Sequence, residues 1–469
     1  MLEITAQPLL NYLVALSLEG GKLQFSEETN LNEIYGDLLE AVYERGYEKQ
    51  GHRVIEGIEK HEFIGILEEI ALACWHGVGR TTTVGEIETH CDNSGLGDVL
   101  NRFQQSFQED SKASVTRLLT AFYFRESGGI RASEKTFEFT HKSFGEYLTA
   151  KRIVQEVQLI HEALEERKAN FRKGCNEQDA LLRWAILCGS AVMDEYLFRF
   201  ICDEMRLQNP SAVSNWQKTL CLMIESMLTN GMPMEGLKYR SSFQIEMWQA
   251  RNAEESLLAV LNACARVTKA ISKIEWSNRA SFGEWISRLQ GQRIGVDNVL
   301  TFECLSFLDL QNCILFVRDF VGANLAFTNL ENAGLSYAIL LGANLRDANL
   351  QGANFEDANL QGAKLEKANL KEANLEEANL KNSNLQGANL QGTNLQLANF
   401  FKANLEEANL AGANLRWTHF YGANLQGANL KGAILEGANL EEANLTGTIL
   451  EGQDIATVTK ISNEDSNES

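Results

Sequence analysis

Ala343-Asn344-Leu345-Arg346-Asp347-Ala348-Asn349-Leu350-Gln351-Gly352-Ala353-Asn354-Phe355 carries the pattern that decides the fold. A large apolar residue recurs at every fifth position, from Leu305 to Ile455, without a break in step. Between 323 and 448 the residue two places before it is always Ala, Ser or Thr, and the residue just before it is usually Asn. A period of five matches neither the 3.6 of a helix nor the 2 of a flat strand. A chain that turns a corner every five residues satisfies it. Four pentapeptides close one square coil, and residues 20 apart stack in neighbouring coils. The large residue then points inward, the small one fits beside the corner, and the last two face solvent. Asn is expected to tolerate the tight turn and to bond neighbouring amides. Thirty-one central positions make between seven and eight coils, roughly 37 Å long at ~4.8 Å per coil. Each buried Leu contributes about 1.5–3 kcal/mol, so the ladder needs no disulfides.

This pattern resembles the pentapeptide-repeat family over about 305–455, which implies a right-handed quadrilateral β-helix. The first coil departs from it, with Glu303, Leu308, Cys313 and Arg318 at the small positions. It is expected to be a transition to the preceding region.

The chain has 469 residues and a net charge of −21, which predicts several domains and argues against direct nucleic-acid binding. Of that charge, −9 falls in 321–469, so the acidity is shared by both parts. Nine scattered cysteines without a CxxC pair read as reduced thiols of a cytoplasmic protein. The group Cys74, His76, His90 and Cys91 matches no zinc spacing and reads as core and surface. No signal peptide and no run of 18 apolar residues is present, so no membrane association is expected.

The fold class expected is multidomain: a mainly α N-terminal region with a winged helix, then the β-helix. Ile64, Leu67, Ile70, Ala71 and Cys74 form one helical face, and Val115, Leu118, Leu119 and Phe122 another. Thr83 with Glu86 reads as a capping box. Residues 121–124, a turn at Ser127-Gly128-Gly129, and 136–139 predict a hairpin. Helices followed by a hairpin give a winged-helix layout over about 60–140, without a basic recognition face, so protein docking is expected of it.

The stretch Phe137-Glu138-Phe139-Thr140-His141-Lys142-Ser143-Phe144-Gly145-Glu146-Tyr147-Leu148-Thr149-Ala150-Lys151 resembles the segment closing the winged helix of NACHT-type signalling NTPases. That resemblance implies His141 as a contact to ADP phosphate and Phe144 and Tyr147 as packing residues. Gln7-Pro8-Leu9-Leu10-Asn11-Tyr12-Leu13 is similar to that family's proline–leucine element, which implies Pro8 near adenine. The domains expected are a helical segment 1–55, a winged-helix-like domain 56–155, a helical arm 156–300, the solenoid 301–456 and an acidic tail 457–469.

The nucleotide core is missing. Gly77-Val78-Gly79-Arg80-Thr81-Thr82-Thr83 lacks the phosphate-loop spacing and its Lys, and follows a helix. His141 and Pro8 would therefore meet nucleotide only if a separate P-loop NTPase chain supplied the core in trans. On its own, His141 reads as a hairpin-end histidine packed beside Glu146 or bonded to backbone.

Aligned modulo 20, Leu397 stacks with Trp417, and Phe401 with Tyr421, making a candidate partner-binding patch. Glu356, Asp357, Glu376 and Glu377 stack as an acidic strip, with Lys364, Lys367, Lys371 and Lys381 expected to interrupt its field. The reading is a non-catalytic, cofactor-free protein-binding or ligand-sensing regulator. The alternatives are one half of a split signalling ATPase, or an acidic DNA mimic acting on a topoisomerase. A homodimer through the C-terminal coil is also expected, because an open coil exposes unpaired strand groups.

Overall fold

The computed structural model describes residues 30–48, 58–105, 124–127, 136–139, 141–237, 242–290 and 299–460. The readings of Pro8 and its element, of the face from Val115 to Phe122, and of the tail beyond Lys460 lie outside these residues. The chain divides into two compact units. One comprises 1–176, 182–213 and 237–253; the other comprises 177–181, 214–236 and 254–469.

The described helices, in chain order, are α1 (Leu31–Glu48), α2 (Lys60–His76), α3 (Val84–Asn93), α4 (Gly97–Gln105), α5 (Lys142–Ala169), α6 (Glu177–Cys188), α7 (Glu195–Arg206), α8 (Pro210–Asn230), α9 (Phe243–Thr268), α10 (Ser281–Gln290), α11 (Val299–Glu303) and α12 (Ile455–Val458). Two strands, β1 (Phe124–Ser127) and β2 (Thr136–Phe139), pair between α4 and α5.

In the first unit α5 is the central element, packed on α2 and α7. Helix α2 buries its C-terminal half nearly all round, from Ile66 to Trp75, rather than along one stripe. Helix α3 starts at the expected capping box: the Glu86 amide donates to Thr83 Oγ1 (3.3 Å), and the Thr83 amide donates to Glu86 Oε2 (2.8 Å).

The hairpin forms, and the described part of its first strand runs from Phe124 to Ser127. Phe124 pairs with Phe139 and Ser127 with Thr136, so Ser127 is a strand residue and not a turn. Burial of Phe137 and Phe139 fixes β2, and antiparallel pairing then sets where β1 lies. Thr82 adds a further bridge to Phe137, with both N–H···O distances 2.8 Å.

The start of α5 locks this unit together. Phe144 meets the rings of Phe139, Tyr35 and Tyr147 at 6.0, 5.8 and 6.2 Å. Gly145 is required between them, because a Cβ there would stand 2.8 Å from the Phe139 ring.

Glu68 is buried in the same unit, and burial raises its carboxyl to about 7, against the pull of Lys151 and Arg152. A raised carboxyl favours the folded state below its unfolded value of 4.5 and loses that contribution as pH climbs through 7. Glu68→Gln should therefore stabilise this unit at pH 8, by about 3 kcal/mol at most, and change little at pH 4. Urea melts at the two pH values test the sign.

In the second unit, parallel bridges join residues 20 apart from Asp309↔Asn329 through Asn424↔Asn444. The central residues from Leu325 to Leu425 are all 0–1% exposed. The amides of the central residue and of the residue before it are paired along the axis, as where Leu345 N donates to Lys364 O at 2.7 Å and Asn344 N to Ala323 O at 2.9 Å.

The tight turn belongs to a different residue from the one anticipated. It is the second residue after each central one that takes left-handed backbone, as at Gly352 (φ 65°) and Asp347 (φ 54°). The Asn residues lie in the bridges and build side-chain ladders, Asn349 Nδ2 donating to Asn329 Oδ1 and Asn369 Nδ2 to Asn349 Oδ1, each at 3.0 Å.

The N-terminal end of the solenoid is covered. Ser272 bridges to Leu308, the Ile314 amide donates to Arg279 O (2.7 Å), and the Asn324 amide donates to Phe302 O (2.9 Å). Trp276 Nε1 donates to Asp309 O at 2.9 Å. Leu308 and Cys313 are buried in this first coil despite their size.

At the other end the pentad step outlasts the coil. Ile455 does not extend the ladder but opens α12, capped by Asp454 Oδ1 accepting from the Ala456 amide (3.2 Å). The chain then folds back, and the Gly437 amide donates to Thr459 O at 3.0 Å.

Candidate functional site

The register places the four patch residues where the modulo-20 alignment puts them. Leu397 and Trp417 occupy successive left-handed corner positions (φ 60° and 58°), each 47% exposed. Phe401 and Tyr421 lie on the adjacent corner, their rings 5.8 Å apart and within 8° of parallel. The strand between these corners carries His419 in place of Asn, stacked on Phe401 at 6.2 Å and on Tyr421 at 6.4 Å. His419 Nδ1 is buried without a hydrogen-bond partner. The Trp417 ring covers Gly437, where an added Cβ would come within 2.4 Å of it. Lys402 Nζ stands 5.2 Å from the centre of the Phe401 ring. The Tyr421 hydroxyl donates to Glu442, and that hydrogen bond pushes the phenol pKa up. The patch is thus partly self-packed, with Leu397 and Trp417 still open to a partner.

A second apolar group on this face escaped the sequence reading. Val317 and Tyr337 precede Leu397 and Trp417 in the same corner column, 20-residue steps apart. Ile339 precedes His419, while Val321 and Leu341 precede Phe401 and Tyr421. All five are exposed. The same modulo-20 alignment would have found them had it been carried into the irregular first coils.

Val317 is a β-branched residue at φ 57° and 56% exposed. Such backbone costs a non-glycine residue about 1–2 kcal/mol. Val317→Gly should leave the solenoid as stable or more so, by up to about 1 kcal/mol. A fall in its melting temperature would mean that Val317 is needed for packing.

Between the two groups lies the acidic strip of Glu356, Asp357, Glu376 and Glu377, in register on two coils. Asp357 accepts from the Tyr337 hydroxyl and raises that phenol's pKa. The expected neutralisation by lysines is smaller than it looked. Lys364, Lys367 and Lys371 fall in columns of other faces, and Lys381 is the one of the four on this face.

In the helical unit a cleft of about 580 Å³ is lined by Tyr35, Trp75, Arg80, Glu138, Lys142 and Asp194 among others. Arg80 Nη2 and Asp194 Oδ2 are 2.6 Å apart at its wall. Arg80 comes from the glycine-containing loop, which follows helix α2 and not a strand. His141 is the N-cap of α5, without a side-chain cap bond, and burial lowers its pKa.

Cys74 and Cys91 are buried, while His76 and His90 are half-buried. The two imidazoles are 5.1 Å apart, burial holds His76 down to about 4, and burial pushes Cys91 up to about 12. Among the described residues there is no group of three or more His, Cys, Asp or Glu able to hold a metal ion. Nor is any helix among them long and apolar enough to cross a membrane.

The family profile described as Pentapeptide repeats matches eight copies, over residues 319–357, 358–396, 398–437 and 422–454. Among solved structures the chain is similar to HetL, a pentapeptide repeat protein involved in heterocyst differentiation regulation from the cyanobacterium Nostoc sp. strain PCC 7120. The identity is 31%, over 31% of this chain and 74% of that one, with a TM-score of 0.19. It is also similar to QnrB1, a plasmid-mediated fluoroquinolone resistance protein, at 20% identity over 32% and 86% of the two chains (TM-score 0.21). A third is Rfr23 from the cyanobacterium Cyanothece 51142, at 43% identity over 22% and 58% (TM-score 0.14). No curated protein matches the chain.

Proposed function

Residues 319–454 belong to the pentapeptide-repeat family, and from that premise we propose that the chain is a non-catalytic interaction protein whose solenoid is the docking surface. The observation that carries this reading is the open pair Leu397 and Trp417, held at left-handed corners beside the Phe401–His419–Tyr421 stack. Solvated corners favour Gly, Asn or charged residues; large apolar groups there serve contact better than solubility. A photo-crosslinking residue at position 397 or 421 of the full chain, expressed in its source organism, should yield a discrete protein adduct. Position 367, on another face, is the control. Adducts no stronger at 397 and 421 than at 367 would overturn the reading.

The helical unit fits the regulatory part of a cytoplasmic NACHT-like signalling system. Helices α2 to α4 followed by the β1–β2 hairpin support a winged helix, and the ring contacts of Phe144 and Tyr147 support their packing role. In that scheme His141 and Pro8 touch nucleotide only when another chain supplies the phosphate-binding core. The isolated chain should therefore not bind labelled ADP, and measurable affinity would replace this domain reading.

A topoisomerase-directed DNA mimic is favoured less. The acidic strip spans two coils, roughly 5 Å along the axis, between apolar groups. Gyrase supercoiling should be unchanged by excess protein. Pairing of two copies through the last coil is the remaining expectation. Its backbone is partly closed by the return of Thr459 to Gly437, and the mass by light scattering at high concentration decides it.

A further inference from the structure

We propose that the solenoid face bounded by the corner columns of Trp417 and Tyr421 receives one amphipathic helix of a partner protein. The helix would lie along the solenoid axis, its apolar side chains on both apolar groups and its basic side chains between them. The proposal rests on the docking role given above and specifies what docks.

Four observations converge on it. The two apolar groups share three columns: Val317, Tyr337, Leu397 and Trp417 on one corner, Ile339 and His419 on the strand, and Leu341 and Tyr421 on the other corner. The other exposed large apolar residues of the solenoid, Ile314, Phe316, Phe327, Ile434 and Ile449, lie outside these columns, and none of their columns collects more than two, whereas the Trp417 column collects four.

Their separation also suits a helix. From the 317–341 rows to the 397–421 rows is four coils, about 19 Å. A helix covers that in about 13 residues, so anchors near i and i+4 reach one group and those near i+14 and i+15 the other. Covering both groups takes about 16 residues in all.

The middle is acidic on balance. Asp357 and Glu377 occupy the Trp417 column between the groups, with Glu356 and Glu376 beside them; Lys381 stands on the opposite corner. A helix with Lys or Arg in its central turns complements this strip. A second copy of the chain laid face to face and antiparallel would set acidic middle against acidic middle, which disfavours it.

Backbone pairing excludes an added strand. The amides along this face are already bonded from coil to coil, for instance Ile339 N to Arg318 O, Asn359 N to Ala338 O and His419 N to Ala398 O, each at 2.9 Å. An extended peptide would gain no main-chain bonds here, whereas a helix satisfies its own.

The test is selection of phage-displayed random 20-residue peptides on the full-length chain, with subtraction on the Tyr337→Asn/Trp417→Asn double variant. Asn tolerates the left-handed corner, so both substitutions should keep the fold; circular dichroism checks this. Selected peptides should carry two apolar clusters 11 to 14 residues apart with Lys or Arg between them, and become helical on binding. Either single substitution should weaken them by about tenfold or more. Glu356→Lys/Glu376→Lys should weaken them severalfold, and salt should do the same.

Peptides sensitive to Trp417→Asn but not to Tyr337→Asn would overturn the bridging helix and leave the docking role intact. Peptides insensitive to both would overturn the two together. Bound peptides without helix would overturn the helix. A dimer of the chain abolished by the double variant would make a second copy the occupant and overturn the partner helix.

Discussion

Leu360→Asp should lower the stability of the solenoid by more than about 4 kcal/mol, while Gln361→Asp, one residue on, should change it by less than about 0.5 kcal/mol. Leu360 is 0% exposed and lies between Leu340 and Leu380, themselves 0% exposed. A carboxylate in that column meets aliphatic side chains above and below and no donor, because the flanking amides are spent on the ladder: Leu360 N on Asn379 O (2.8 Å) and Gln361 N on Asn359 Oδ1 (3.1 Å). The lost burial and the unpaired charge add. The chain cannot escape by slipping, because a shift of one residue would misplace every inward side chain of the coils that follow. A loss above 4 kcal/mol corresponds to a fall of at least about 8–16 °C for a unit of this size. A melt followed by circular dichroism measures it for both variants. Equal effects at 360 and 361 would mean that the column is not a dry interior.

This contrast explains how much of the molecule could be read in advance. The inward column is legible because its constraint is one-dimensional: a closed coil admits one large side chain per corner-to-corner run, so Leu345, Leu350 and Phe355 announce it by spacing alone. Stacking is legible for the same reason, and with it the neighbours of Trp417. The left-handed corner was assigned to the wrong residue because Asn and Gly both tolerate it, and pattern alone does not say which of them stands in the turn. The position holding Gly352 also holds Asp347 and Trp417, so composition there is set by what faces outward. The hairpin is legible as an element, but the inclusion of Ser127 in its first strand is not. Ala121-Phe122-Tyr123-Phe124 has strand character throughout, and the pairing Phe124↔Phe139 is a long-range choice. The ending was misjudged similarly: Ile455 keeps the step of five, but Asp454 caps a helix there. In the Val317–Leu341 group, Val317 and Val321 flank Arg318 in the coil that breaks the small-residue rule, while Tyr337, Ile339 and Leu341 lie in a coil that obeys it and show only through the 20-residue register.

Arg152→Met should destabilise the helical unit by about 3–5 kcal/mol. Arg152 Nε donates to Glu69 Oε1 at 3.0 Å and its Nη1 to Glu156 Oε2 at 2.8 Å, so one guanidinium serves two carboxylates that are 5% and 6% exposed. Arg183 also reaches Glu156 (2.7 Å), and His90 approaches Glu69 at 3.6 Å. Helix α2 supplies Glu69, and α5 supplies Arg152 and Glu156, so the pair of helices loses its polar clamp together. The expected loss comes less from the missing attraction than from Glu69, left buried with only a distant imidazole. Arg152→Met/Glu69→Gln/Glu156→Gln removes the charges as a set and should recover most of the stability, because a neutral, well-packed site can match an ion network. Arg152→Lys should fall between, since an ammonium does not present the planar fork that bridges two carboxylates. Hydrogen exchange by mass spectrometry localises the effect: peptides from 60–76 and 142–169 should lose protection in the single variant and regain it in the triple one, with the solenoid unchanged. If the triple variant were as unstable as Arg152→Met, the arginine stem and not its charge would be what α2 and α5 require.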